Sequence, residues 1–199
     1  LTMLGIIIGV GAVITMLAAG AGAQKRIDDQ IAALGANILT INTATFFAGG
    51  VARDRQSLVV DDFEALAADG RYFDAVVPEA ANRGQIKLDN ANANSRIVGT
   101  TPAYAEVFGY KLVQGRFFTR DEDEQRKRVA VVGAEIPGRL TTDAASLVGR
   151  TIALNGQPFE VIGVLASVGG GFGNQSPDGG VFIPLRTAEQ RVFGSKQLA

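Results

Sequence analysis

The sequence predicts an α+β fold that begins with one long apolar helix. First, residues 1–23 contain no charged side chain, and all the charged residues of this 199-residue chain lie beyond Ala23. Second, helix and strand signals alternate after that point, a pattern typical of a sheet covered by helices. Third, Asn155-Gly156 stands between two apolar runs, which is a strong β-hairpin signal.

Residues 1–23 are predicted to form a transmembrane helix. An α-helix of that length extends about 34 Å, enough to cross the hydrocarbon core of a bilayer and contact membrane lipid. Gly5 and Gly9 have the G-x-x-x-G spacing that lets a second helix approach closely. These two glycines are the candidate helix-packing residues.

Two other interpretations of this segment were weighed against a membrane helix. A cleaved signal peptide is compatible with Ala21-Gly22-Ala23, although a basic region before the apolar run is missing. That interpretation stays open. A dinucleotide-binding turn would begin at Gly9-Val10-Gly11, but Ile14 occupies the position of the third glycine, and we reject it.

The N-terminal helix is expected to continue past Ala23 as a stalk. No proline or loop signal interrupts residues 24–34. Ile27, Ile31 and Leu34 follow the i, i+4, i+7 spacing of one helix face, so they are the candidate stalk-coupling residues.

The middle of the chain predicts a split α/β arrangement, with helices on one side of a small sheet. The expected elements, in chain order, are a strand over 37–42, a loop over 43–57, a helix from Asp61, a strand over 73–77, hairpin strands over 85–88 and 95–99 around an asparagine-rich turn, and a short helix after Thr101-Pro102.

The last third of the chain predicts more strands and one final helix. The Gly-rich segment 167–180 is a hypothetical contact for an adaptor protein or a substrate. The expected elements are a solvated loop over the acidic run 121–124, a strand over 129–132, hairpin strands over 151–154 and 159–165, a strand over 181–183, and a helix opened by a capping box of Thr187 and Gln190.

Composition and motifs argue against catalysis. The chain has no cysteine and no histidine, which excludes disulfides, thiolate metal sites and imidazole chemistry within it. A net charge of −1 without a basic cluster argues against nucleic-acid binding. No G-x-S-x-G, S-x-x-K or H-E-x-x-H motif occurs. We therefore predict that the chain is not an enzyme and binds no cofactor or metal.

An ordered set of segments resembles the MacB-like ABC transporter permeases. The apolar start is similar to the first membrane helix of that family, and the later segments are similar to its periplasmic core domain. The segments that carry the resemblance are residues 1–10, Leu34-Gly35-Ala36-Asn37, Gly115-Arg116-Phe117-Phe118-Thr119, residues 129–133, residues 157–165, and Val181-Phe182-Ile183-Pro184-Leu185 with Thr187-Ala188.

The resemblance implies a particular arrangement of subdomains after the transmembrane helix at 1–23. A porter-like split α/β subdomain, including the stalk, is expected over 24–112. A smaller mixed α/β, Sabre-like subdomain would be inserted over 113–180, and residues 181–199 would return to the porter-like part.

The resemblance also implies a function, a location and partners. The function is coupling of ATP-driven movement of membrane helices to export or release of substrate across the cell envelope. Partners would be an ABC-type ATPase subunit or domain, a second permease copy and a periplasmic adaptor. The inner membrane is the expected location, with residues after about 24 facing the periplasm. The alternative is a secreted periplasmic binding or scaffold protein.

Overall fold

The computed structural model describes residues 2–33, 38–41, 46–48, 51–53, 58, 60–68, 73–140, 143–169 and 176–194. The helices are α1 (Thr2–Ala33), α2 (Val60–Ala68), α3 (Tyr104–Val107), α4 (Arg120–Glu124), α5 (Ile136–Arg139), α6 (Ala144–Leu147) and α7 (Leu185–Thr187). The strands are β1 (Phe46–Ala48), β2 (Val51–Arg53), β3 (Glu79–Leu88), β4 (Ala91–Thr100), β5 (Leu112–Gly115), β6 (Val129–Val132), β7 (Thr151–Leu154), β8 (Gln157–Leu165) and β9 (Gly180–Pro184).

The chain divides into two units, residues 1–39 and residues 40–199. In the first unit, α1 is a single helix of 32 residues that passes the predicted boundary at residue 23 without a break. The predicted continuity of the apolar segment with the stalk is therefore confirmed. Across the part of the chain that the structure describes, no helix combines the length and apolarity needed to cross a membrane. The membrane character predicted for residues 1–23 is thus not confirmed.

The second unit is organised by a seven-stranded mixed sheet in the order β5-β8-β6-β9-β4-β3-β7. Strand β7 also pairs with β8, so six of the strands close into a ring and β5 lies beside β8. Strands β4 and β9 are parallel, as are β6 and β8. The predicted mixed fold of helices and sheet is confirmed, with the closure of the ring as an added feature.

The sheet has a separate apolar core on each face. Successive side chains of a strand point to opposite faces of the sheet, so neighbouring residues of one strand belong to different cores. Ile97 and Val181 belong to one core with Phe159, whereas the next residues, Val98 and Phe182, belong to the other. Helices α5 and α6 supply Ile136, Leu140 and Leu147 to the first core, and α3 supplies Tyr104 to the second.

Several local predictions are confirmed and several are wrong. The strand over 129–132 and the hairpin around Asn155-Gly156 are present, and Gly109 and Gly194 follow helical segments with positive φ. Residues 38–41 of the strand expected over 37–42 form no strand, and residues 37 and 42 lie outside the described residues. Residues 73–77 likewise pair with no strand that the structure describes. The expected loop over 43–57 contains the paired strands β1 and β2 instead.

The asparagine-rich turn is shorter than predicted, and the last capping box does not form. Only Asp89 and Asn90 make the turn between β3 and β4, and Asp89 takes φ 51°. The rest of the asparagine run belongs to β4. Thr187 is fully buried, its hydroxyl donates to the Lys127 carbonyl 3.0 Å away, and its backbone is itself helical (φ −75°, ψ −42°), with no cap hydrogen bond from its side chain.

The predicted subdomain boundary between residues 112 and 113 falls within β5, and strands from both sides of it share one sheet. Strands β3 and β4 come from the predicted porter-like part, and they pair with β7 and β9. The division into residues 24–112, 113–180 and 181–199 stays a prediction.

The acidic run predicted as a solvated loop is the helix α4. Thr119 opens this helix with a reciprocal capping box that includes Glu122. The Arg116 guanidinium donates to both Glu122 oxygens at 2.7 Å. These hydrogen bonds, and the one from the Thr119 amide, lower the pKa of Glu122 to about 2. The charges of this run are compatible with either a loop or a helix. The capping box of Thr119 and Glu122 favours the helix.

Glu122→Gln is expected to weaken the fold at neutral pH and to matter little in acid. A carboxylate with a depressed folded-state pKa adds stability above its unfolded pKa, and that stability is lost as the pH falls from about 4.3 towards 2. We expect a difference in the free energy of unfolding of about 2 kcal/mol at pH 7. Urea titrations of both proteins across this pH range measure it.

The control for this prediction is Glu124→Gln on the same helix. Glu124 is half exposed and pairs only with the exposed Arg120, so the expected change is under about 0.5 kcal/mol. Asp123, whose pKa is raised by burial, is unchanged in all three proteins. Its contribution to the pH dependence of stability therefore cancels when their unfolding free energies are compared. An equal effect of the two substitutions would contradict the role assigned to Glu122.

Candidate functional site

A polar pocket of about 310 Å³ lies where four separate pieces of the second unit meet. Strands β3 and β4 form one wall, and α5 and the turn before β9 form the others. The lining residues used below are Arg83, Ser95, Arg96, Glu135, Arg139 and Gly179. The pocket is therefore assembled by the tertiary fold and not by one motif.

The hairpin register places two arginines side by side in the pocket wall. Arg83 of β3 is directly opposite Arg96 of β4 in the antiparallel ladder. Gly84, the residue after Arg83, faces the core, where a Cβ would overlap Ile97. Arg83 and Arg96 consequently lie on the outer face, where directly opposed like charges repel each other.

A partly buried carboxylate and a tyrosine fix the position of Arg96. Arg96 donates to Glu79, and the Tyr104 hydroxyl donates to the same carboxylate at 2.8 Å. Burial, followed by the nearby negative charge of Glu79, raises the pKa of the Tyr104 phenol well above its usual range. Tyr104 therefore stays a neutral donor, and one edge of the Arg96 guanidinium is committed to Glu79.

The third arginine comes from α5. Arg139 pairs with Glu135 one turn earlier, at 2.5 Å. Its guanidinium also lies against Gly179, where an added Cβ would be 3.1 Å from Nη2. A side chain at position 179 would be in tight contact with the Arg139 guanidinium, which would have to shift by a few tenths of an ångström.

Asp178 ties both ends of the Gly-rich segment to the pocket. This buried carboxylate accepts hydrogen bonds from the Ser167 hydroxyl at 2.7 Å, the Val168 amide at 3.0 Å and the Gly169 amide at 3.3 Å. The next residue, Gly179, accepts from the Ser95 hydroxyl of β4. Residues 170–175, the centre of the segment, lie outside the described residues.

The pocket presents charged groups that can form ion pairs and hydrogen bonds with a ligand. Three guanidinium groups and the carboxylates of Glu79 and Glu135 supply charge and hydrogen bonds. Among the residues that the structure describes, no group of three or more histidine, cysteine or acidic side chains could hold a metal ion.

The helix-packing and stalk residues predicted from sequence belong to the N-terminal segment and not to this pocket, whereas Gly179 of the Gly-rich segment 167–180 lines it. Gly5 and Gly9 are exposed on α1, and a Cβ built on either meets nothing within 4 Å, so the surface that a second helix would need is open. Ile27 and Ile31 lie in α1, but their side chains fall outside the described ones. Leu34 is outside the described residues. The roles of these five residues stay predictions.

Sequence reasoning missed the arginines of the pocket. Arg83, Arg96 and Arg139 stand far apart in the chain, and each alone resembles an ordinary surface charge. A signal was available in the hairpin, since alternation of polar and apolar residues assigns Arg96 to a polar face. The register that brings Arg83 beside it could not be read from the sequence.

The chain is similar over nearly its full length to export permeases. It is 36% identical over 197 residues to the macrolide export ATP-binding/permease protein MacB of Bdellovibrio bacteriovorus, covering 98% of this chain and 30% of that protein. It is 32% identical over 195 residues to the pyoverdine export ATP-binding/permease protein PvdT of Pseudomonas fluorescens, covering 98% and 29%. The chain thus spans about 30% of the length of these curated relatives.

Solved structures share the fold at lower identity. The periplasmic region of MacB from Actinobacillus actinomycetemcomitans aligns with a TM-score of 0.63 and 23% identity, over 78% of this chain and 69% of that one. The extracellular domain of the noncanonic ABC-type transporter YknZ, from Gram-positive bacteria, aligns with a TM-score of 0.62 and 21% identity, over 73% and 71%.

The family model for the MacB-like periplasmic core domain matches residues 1–198. This match covers both units of the structure, and the relatives and the solved folds agree with it. The chain therefore belongs to the MacB-like periplasmic core domain family.

Proposed function

We propose that this domain transmits ATP-driven movement to the periplasmic side of an exporter and performs no bond chemistry itself. The observation that carries the proposal is the unbroken helix α1, which links the apolar segment 1–23 to the stalk region. An α-helix of 32 residues is about 48 Å long, and its continuous hydrogen bonding makes it a stiff element. A displacement at one end can therefore reach the other.

The whole protein is proposed to work with an ABC-type ATPase, either fused or as a separate subunit. The names of these relatives join ATP binding and permease in one export protein. We also propose a second permease copy, because Gly5 and Gly9 lie one turn apart on an open stretch of α1. A periplasmic adaptor completes the proposed assembly.

We place the protein at the inner membrane, with residues after about 24 facing the periplasm. The family description supports the periplasmic side. The chain has no cysteine, so Val113→Cys, at an exposed position, adds a reporter thiol that is the only one within this domain. A membrane-impermeant maleimide should label it in intact spheroplasts. Labelling only after permeabilisation would contradict the proposed orientation, and the parent protein without the added cysteine is the control.

Breaking the stalk is expected to uncouple ATP hydrolysis from export. In the full-length protein, Ile27→Gly with Ile31→Gly weakens the helix by about 1 kcal/mol per site. We expect ATP hydrolysis to persist while export falls at least about tenfold, since about 2 kcal/mol of lost helix stability favours a bent stalk. Co-purification with the ATPase, ATP hydrolysis and substrate export are measured together.

The matched control replaces the same two residues with alanine. Alanine keeps the helix and removes only the larger side chains, so it separates stiffness from side-chain contacts. Coupling that survives in both variants would contradict transmission through α1. A soluble product cleaved after Ala23, with no associated ATPase, would support the secreted-protein alternative instead.

A further inference from the structure

We infer that the three-arginine pocket binds a small oxyanion ligand, a compound bearing carboxylate or phosphate groups, held chiefly by Arg83 and Arg139. The inference goes beyond the transport function and does not depend on it, because it concerns equilibrium binding to one folded unit. It rests on the charge in the pocket, on uncommitted donors and on the glycine in its wall.

The first argument is an uncompensated cation. Arg83 stands directly opposite Arg96, which is already paired with Glu79. The Arg83 guanidinium makes no ion pair or side-chain hydrogen bond with any residue that the structure describes, and it lines the pocket. An anion between the strands would relieve the repulsion and satisfy donors that now meet only solvent.

The second argument is the presentation of Arg139. Only one of its terminal nitrogens is committed to Glu135. The planar group lies against Gly179, where an added Cβ would be in tight contact with Nη2. A guanidinium held flat in this way offers its remaining donors as a fork that matches two oxygens of a carboxylate or phosphate.

The third argument is the balance of charge. The lining residues carry three positive charges, on Arg83, Arg96 and Arg139, and one negative charge, on Glu135, while the carboxylates of Glu79 and Asp178 lie outside the lining. A pocket of about 310 Å³ accepts a compact di- or tricarboxylate or a small phosphate compound. Ser95, buried beside the arginines, forms part of the same wall.

Equilibrium binding of two probes to the purified full-length protein tests the inference. Citrate represents carboxylates and inorganic pyrophosphate represents phosphates, and sodium chloride at equal ionic strength is the reference. Calorimetric titration should show saturable, one-site binding of at least one probe. The probe that binds more tightly shows whether the site prefers carboxylates or phosphates. We expect Arg83→Gln and Arg139→Gln each to weaken binding at least about tenfold, as expected for loss of a charge-assisted contact.

Two further variants distinguish a site from general charge. Glu135→Gln removes a competing carboxylate beside Arg139, and it should tighten binding, an effect that damage to the fold would not produce. Arg150→Gln removes an arginine of similar exposure that pairs with Asp89 outside the pocket, and it should leave binding unchanged. Two results would overturn the inference. One is binding of citrate and pyrophosphate no stronger than that of chloride, and the other is an equal loss of binding in Arg150→Gln.

Discussion

Phe159→Ala is expected to lower the free energy of unfolding by about 3–5 kcal/mol, the cost of emptying a well-packed aromatic site. Phe159 is completely buried in the core inside the closed strand ring. It stands opposite Ile152 where β7 meets β8, the pairing that closes the ring. Phe159→Ala therefore removes buried apolar surface beside the β7–β8 pairing that closes the ring. Urea titration followed by circular dichroism measures the change.

Phe73→Ala is the matched control for the core substitution. The same atoms are removed, but Phe73 is 40% exposed and lies outside both cores. A cost of about 1 kcal/mol or less is expected there. Equal losses of unfolding free energy in the two variants would contradict the burial of Phe159 where β7 pairs with β8.

Gly133→Ala is expected to cost about 3 kcal/mol or more and to disturb the pocket. A Cβ at Gly133 would overlap the carbonyl oxygens of Pro177 and Asp178, and these are backbone atoms that cannot rotate away. The same turn accepts the Glu135 amide at 2.9 Å and carries Gly179 into the pocket wall. Both stability and anion binding should therefore fall. Urea unfolding and citrate titration of the same preparation measure them.

Gly138→Ala, five residues later, separates this clash from the general effect of adding a methyl group. Gly138 lies in α5, and a Cβ there meets nothing within 4 Å. Because alanine favours a helix over glycine, stability should stay equal or rise by about 0.5–1 kcal/mol. A Gly133→Ala protein as stable as the Gly138→Ala protein would be inconsistent with the close approach of the turn to β6.

Local pattern was enough to predict the elements whose signals are strong over a short span. The buried run at 129–132 and the Asn155-Gly156 turn fix β6 and the β7–β8 hairpin, since each depends on neighbouring residues only. The continuity of α1 was predictable in the same way, because no proline or loop signal interrupts residues 24–34.

Other local signals were present and misread. The alternation Ala91, Asn92, Ala93, Asn94 has the period of two that a strand requires, and the alanines face the core while the asparagines are exposed. Asparagine is uncommon in strands, so composition outweighed periodicity in the prediction of a long turn. Likewise, the charges of residues 121–124 concealed the cap that Thr119 provides to α4.

The sequence by itself determined the family, the long N-terminal helix and the alternation of helices with strands, because ordered motifs and short-range periodicity are written along the chain. Only the tertiary structure decided the closed strand ring, the placement of Arg83 beside Arg96, and the approach of Arg139 to Gly179. These depend on pairing between segments far apart in sequence. Register and crossover between such segments follow from the packing of the whole core, which no local pattern encodes.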